Sequence, residues 1–264
     1  MDSLDSPFEA QPCNLYHHRQ SICSLMVRYT HAVAGQPGPG LHPLTLNLHE
    51  VDIFNNAHLS EFYLCEINPK GQVPALTSEG YLDKPITDSL EITYFLCDRY
   101  PSLRPSHLAE QIDTLLRELH AINFFSLSFN TRPKLATKFQ HGVEDRLRNP
   151  HIVSRYRAAL QYKLTVIKSE KIDGLIPETV SQEVQRGQDY LQKVEGIRNA
   201  HQAKGSRSPW IFGTANPTAL DTSIAVFLVR MMDVKRHNLL PQGMREMAEL
   251  VSHFDEFKKT YAAL

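Results

Sequence analysis

Apolar residues after Ser21 fall at Ile22, Leu25, Met26, Tyr29 and Val33. That is the i, i+3, i+4, i+7, i+11 stripe of a half-buried helix. Ser21 precedes the stripe as a candidate N-cap, and Gly35 closes it, opening a loop of glycine and proline over residues 35–40. In front, Asn14-Leu15-Tyr16-His17 reads as a short strand. Behind, residues 44–51 alternate apolar and polar positions, the period of a second strand. Strand, helix, strand in this order predicts a βαβ unit with parallel strands. A helical turn or loop over residues 59–65 follows. Residues 74–77 and 80–87 then predict two strands joined as a hairpin, and Ser89–Arg99 predicts a helix.

The order β-α-β, then β-β-α, is a thioredoxin-like plan, expected over residues 1–100 with residues 1–12 as a loose arm. Tyr100-Pro101 through Pro105 is a proline-punctuated linker. After it strand signals fade, and helical stripes run over about 108–129, 151–169, 181–202, 218–233 and 244–261. Arg132-Pro133 and Asn149-Pro150 break the early ones. Pro209-Trp210-Ile211-Phe212-Gly213, with the only tryptophan, predicts a short buried turn. The expected fold class is therefore an α/β thioredoxin-like domain followed by an all-α domain over 106–264.

Composition narrows the setting. A chain of 264 residues is long for one core and fits two modest domains. The formal net charge of −1 gives no broad electrostatic case for nucleic acid or an anionic membrane. The longest apolar run, residues 224–229, is far short of the roughly 20 residues that cross a bilayer. The acidic, polar start of the chain does not have the look of a targeting peptide. Four sparse cysteines without metal spacing (Cys13, Cys23, Cys65, Cys97) suggest reduced thiols and a cytoplasmic protein. None of the thirteen histidines pairs with cysteine or aspartate at ligand spacing, so no metal is expected.

Two stretches carry chemistry. In Gln72-Val73-Pro74-Ala75-Leu76 a proline enters a strand-like run, a place suited to a cis corner. Such a corner leaves the backbone of Val73 free to pair with an extended ligand. In Thr87-Asp88-Ser89-Leu90-Glu91-Ile92 a polar cluster opens a helix, whose free N–H groups favour an anionic group. Asp88 is equally a good helix cap, and both roles can hold at once. Together the two stretches suggest a small acidic peptide ligand. Thr218 and Asp221 form a further capping box, to which no chemistry is assigned.

Asn68-Pro-Lys-Gly-Gln-Val-Pro74-Ala-Leu76, Thr87 to Ile92, and Asn216-Pro-Thr-Ala-Leu-Asp221 resemble the soluble glutathione transferases in order and spacing, over nearly the whole chain. The resemblance implies glutathione as cosubstrate. Val73 before cis-Pro74, preceded by Gln72, would pair with its cysteinyl unit, and Asp88 with Ser89 would hold its γ-glutamyl end. Ser21-Ile22-Cys23-Ser24-Leu25-Met26-Val27-Arg28 is similar to the zeta class, the maleylacetoacetate isomerases, and to the tetrachlorohydroquinone dehalogenases. There Ser21 would hydrogen-bond the glutathione sulfur, with the Cys23 thiol beside it, and both residues are catalytic candidates. A helix start is expected to lower the pKa of either sulfur. After Arg28 the chain runs Tyr-Thr-His-Ala instead of an aliphatic segment, which leaves the isomerase assignment open.

The implied activity is thiolate addition to a small hydrophobic electrophile. Conjugation, cis–trans isomerisation and reductive dehalogenation, in a biosynthetic or detoxification setting, all fit. The alternative is a non-catalytic binding or regulatory module of the same fold. The family implies a homodimer. His17-His18-Arg19 lies at the corner where the sulfur would sit, and reads as a solvated loop edge or as a group that orients a substrate anion. Phe124, Phe125, Phe129 and Tyr156 are candidates for an apolar second-substrate wall. Arg155 and Arg157 suit either an anionic substrate or a solvated helix face.

Overall fold

The structure, a computed structural model, describes residues 11–261. Three strands form the sheet in the order β2-β1-β3: β1 (Gln11–His17), β2 (Leu44–Glu50) and β3 (Ala75–Thr77). β1 pairs with β2 in parallel, Gln11 opposite Leu44 and His17 opposite Glu50. β3 runs antiparallel to β1, with Leu15 opposite Leu76. Helix α1 (Ile22–Ala32) makes the crossover, as the alternation on either side of it requires. It closes at Ala32, three positions before Gly35, whose φ of 75° turns the chain into the loop. Helix α2 (Ser89–Arg99) has the expected bounds.

Two expectations for this part are corrected. The first two described residues, Gln11 and Pro12, belong to β1 instead of a loose arm, while residues 1–10 lie outside the described residues. The expected second arm of the hairpin shrinks to one antiparallel bridge, Leu76 with Ile86. Between them the chain turns at Gly80 (φ 73°), and Pro85 offers no N–H to a ladder.

The remainder is helical: α3 (Ala109–His120), α4 (Phe124–Phe129), α5 (Lys134–Leu147), α6 (Ser154–Ile167), α7 (Pro177–Ala203), α8 (Ala219–Asp233), α9 (Gln242–Ser252) and α10 (Asp255–Tyr261). The expected helix over 108–129 is two helices. Asn123 restarts it by accepting from the N–H groups of Phe125 and Ser126. The stripe over 244–261 likewise divides, at residues 253–254. Helix α5 is not expected from the pattern. Its buried positions, Ala136, Phe139, Gly142 and Val143, include two small residues that make a faint stripe. Past α6 the backbone runs on as a π-helical segment, Lys168–Ile172.

Helix α8 is central, buried at every position from Ala219 to Leu228. It packs against α1, where the Thr30 and Thr222 hydroxyls meet at 2.6 Å. One continuous core joins Leu15, Met26 and Ile92 to Leu116, Ile224 and Phe227. Asp221 anchors the start of α8. Its carboxylate accepts from Ile211 N–H (2.7 Å), Thr218 N–H (2.8 Å) and Thr218 Oγ (2.6 Å), all within the core. Burial pushes this carboxyl up, and those bonds offset the rise only in part. Asp221→Ala would strand three buried donors at once. It is expected to lower the free energy of urea unfolding by about 3–5 kcal/mol. A loss below about 1 kcal/mol would contradict this placement of the cap.

Candidate active site

The end of β1 turns at His18–Gln20 into α1. Ser21 caps the helix with φ −76° and ψ 120°, and Ser24 N–H donates to its Oγ at 3.3 Å. The same hydroxyl lies 3.5 Å from the Val73 carbonyl and donates to it. One side chain thus joins two segments 52 residues apart. The Val73–Pro74 peptide bond is cis. Among the described residues the Val73 N–H has no hydrogen-bond partner within the chain. Asp88 caps α2 through Oδ1 alone, accepting from Leu90 N–H (2.8 Å) and Glu91 N–H (3.2 Å), so Oδ2 stays outside these bonds. Ser89 is buried, with its Oγ 3.4 Å from His120 Nδ1 and facing the Cys23 thiol. Burial pushes His120 down to about 4, so it is neutral at physiological pH, and its Nε2 is buried without a partner.

All seven candidates, Ser21, Cys23, Gln72, Val73, Pro74, Asp88 and Ser89, line one cavity of about 640 Å³ between the sheet part and the helical part. Its opposite wall includes Phe124, Phe125 and Phe129, as anticipated. Tyr156 does not take part. It is buried in a separate cluster with Leu59 and Leu160, and its hydroxyl donates to the Leu59 carbonyl. His18 lines the cavity and His17 does not. His17 faces Glu50 at 3.6 Å, but burial and then Arg28 push it down to about 4, so this contact is not an ion pair at neutral pH. Arg155 pairs with Glu66 at 2.7 Å, and Arg157 donates to the Leu147 and Asn149 carbonyls. Both lie away from the cavity.

The expected lowering of the Cys23 pKa is corrected. Burial pushes the thiol up, and the Ser89 hydroxyl, Lys171 and Arg230 only partly offset it. Desolvation of the charged form outweighs the helix start here.

The helical part also supplies charged groups that no motif marks. From it Arg117, Lys163, Lys171 and Arg230 line the cavity, joined by Lys70 of the loop before Pro74, against Asp88 and Glu170. Lys163, 3% exposed, donates from Nζ to the carbonyls of Lys70 (2.7 Å) and Gly71 (3.0 Å). Gly71 is required there. A Cβ would meet Leu64 Cδ2 at 2.9 Å, and φ is +56°. The Gln72 side chain donates to Glu170, while its backbone carbonyl accepts from Tyr63 Oη (2.6 Å) and Asn68 Nδ2 (2.9 Å). The loop before Pro74 is therefore held from both sides. Lys163 and Lys171 stand on α6 and the π-helical segment outside any motif, so only long-range packing reveals them.

No protein-family model and no curated protein sequence matches the chain. Its structure is similar to several solved ones. They include Ure2p in complex with glutathione (TM-score 0.63, 14% identity, 96% of this chain and 99% of that one). Another is a glutathione transferase homologue from Lodderomyces elongisporus with two glutathiones per subunit (TM-score 0.60, 13% identity, 96% and 99%). A third is a bacterial zeta-class glutathione transferase, maleyl pyruvate isomerase (TM-score 0.56, 16% identity, 95% and 97%). The chain has the glutathione transferase fold, a thioredoxin-like α/β part followed by a helical part.

Burial pushes Lys163 down to about 7 from the usual 10.5. Between those values the unfolded chain holds a proton that the folded chain does not, so folding gains stability as pH rises across this window. The unfolding free energy of the native chain, measured relative to Lys163→Met, is expected to increase from pH 6.5 to pH 9. A flat or falling difference would contradict a desolvated ammonium at this position.

Proposed function

We propose that this chain is a member of the glutathione transferase family that adds the glutathione thiolate to a small electrophilic molecule. The observation that carries this reading is the convergence of Ser21, Val73, Asp88 and Ser89 on one cavity. Each presents the group the ligand needs. Among the described residues the Val73 N–H is without a partner, and its carbonyl has only the long contact from Ser21. These groups suit the cysteinyl backbone of the tripeptide. Asp88 Oδ2 and the start of α2 suit the ammonium and carboxylate of its γ-glutamyl end. The glutathione-bound state of two of the similar structures supports the same ligand.

In this reading the sulfur points at the start of α1, and the Ser21 hydroxyl turns from Val73 to donate to it. The nucleophile is glutathione's sulfur, since the Cys23 thiol is pushed up; Cys23 serves as a neighbouring thiol. The thiolate electron pair forms a C–S bond to the electrophile, whose wall is Phe124, Phe125 and Phe129. A leaving group then departs with its electrons, or the adduct rotates and expels the thiolate as an isomer. Residues 1–100 take the cosubstrate and residues 106–264 the electrophile, and the chain works as a cytoplasmic homodimer.

Calorimetric titration with glutathione is expected to give saturable binding, weakened about tenfold or more by Asp88→Ala and by Ser89→Ala. With a panel of electrophiles, Ser21→Ala is expected to cut turnover on the order of 100-fold. Glutathione consumed one-to-one indicates conjugation. Turnover without consumption indicates isomerisation, and oxidised glutathione indicates reductive chemistry. Binding with no turnover on any electrophile would overturn the enzyme reading in favour of a binding module. No binding at all would overturn both.

A further inference from the structure

We propose that Lys171 is a second catalytic residue: its ammonium meets the sulfur of the bound cosubstrate and holds it as the thiolate. The inference rests on the reading of the cavity as a glutathione site. Lys171 stands on the π-helical segment Lys168–Ile172 that prolongs α6, a backbone irregularity often found where a side chain is re-aimed for function. The segment is fastened on two sides. The Glu170 carboxylate accepts from the Gln72 side chain, beside Val73, and the Glu170 carbonyl accepts from Asn123 Nδ2 at 3.0 Å. The next residue, Lys171, lines the cavity together with Cys23. Its Nζ sits 4.7 Å from the centre of the Phe125 ring, with the side chain 22% exposed.

This ammonium is under-compensated. Its ion pair with Glu170 is long, 3.7 Å, and Glu170 is already engaged by Gln72. Around it stand Cys23 at the start of α1, Lys163 on α6 and Glu170 on its own segment. Asp88 and Arg230 act on the same sulfur position from α2 and α8. Burial pushes the Lys171 ammonium down, and a negative sulfur opposite it would restore the balance. In the step itself the thiol proton leaves to solvent, the sulfur keeps its electron pair, and Lys171 stays protonated. The Ser21 hydroxyl and the Lys171 ammonium would then approach the sulfur from opposite walls, one as a neutral donor and the other as a charged one.

The test titrates the ultraviolet thiolate band of bound glutathione against pH. It uses the full chain in a Cys23→Ala background, with ligand-free protein subtracted. The parent is expected to show a midpoint below that of free glutathione. Lys171→Met should raise the midpoint by about one pH unit, a tenfold fall in the thiolate-to-thiol ratio at a given pH. Lys171→Arg, which keeps the charge, should leave it within a few tenths of a unit. Calorimetry on the same variants separates the failures. Glutathione bound with an unmoved Lys171→Met midpoint would overturn the role of Lys171 alone. A parent that does not bind glutathione would overturn the site reading and this inference with it.

Discussion

A buried ammonium fastens the two walls of the cavity. Lys163 reaches from α6 to the carbonyls of Lys70 and Gly71, the residues that lead into Gln72, Val73 and cis-Pro74. A hydrogen bond to a charged group contributes about 1.5–3 kcal/mol, but burying the charge works against it. The opposing effects explain why a lysine here titrates near neutrality. The arrangement fixes where the Val73 backbone stands relative to the helical wall, because Gly71 admits no side chain and Gln72 is tied to Glu170. The rest of the site is built outward from this loop: Ser21 leans on the Val73 carbonyl, and Ser89 stands between Cys23 and His120.

Electrostatics in this cavity set Cys23 apart from any sulfur a ligand would bring. A helix start favours a thiolate by a fraction of a unit charge, whereas burial penalises the same thiolate more strongly. Cys23 is on the losing side of that balance. In the proposed site a ligand sulfur brought in from solvent would meet the Ser21 hydroxyl, which can reorient, and the cations of the helical wall. The raised thiol of Cys23 is therefore compatible with an activated sulfur on the ligand.

What was legible in the sequence was what is local. Ser21 and Asp88 cap their helices because a short polar side chain precedes an apolar stripe. Thr218 and Asp221 form the reciprocal box that their spacing of three implies. The crossover and the parallel pairing follow from alternation and chain order. The resemblance supplied the roles of Val73, Asp88 and Ser89, and the geometry brings those residues to one cavity. Illegible were the features decided by distant packing. Residues 80–87 have strand-like character, yet only Ile86 finds a partner. Helix α5 buries Ala136 and Gly142 where a pattern looks for large apolar residues. Lys163 and Lys171 look like solvated helix positions until the cavity wall closes over them. Tyr156 fails in the opposite sense, an aromatic candidate consumed by the core.

The central claim is that the cavity orients glutathione with its sulfur at the start of α1. A crystal structure of the chain soaked with glutathione tests it most directly. The account predicts the cysteinyl unit paired with the Val73 backbone, the γ-glutamyl end at Asp88 and Ser89, and the sulfur within hydrogen-bond reach of Ser21 Oγ. Glutathione bound elsewhere, or bound here with its sulfur turned away from Ser21 and Cys23, would contradict it.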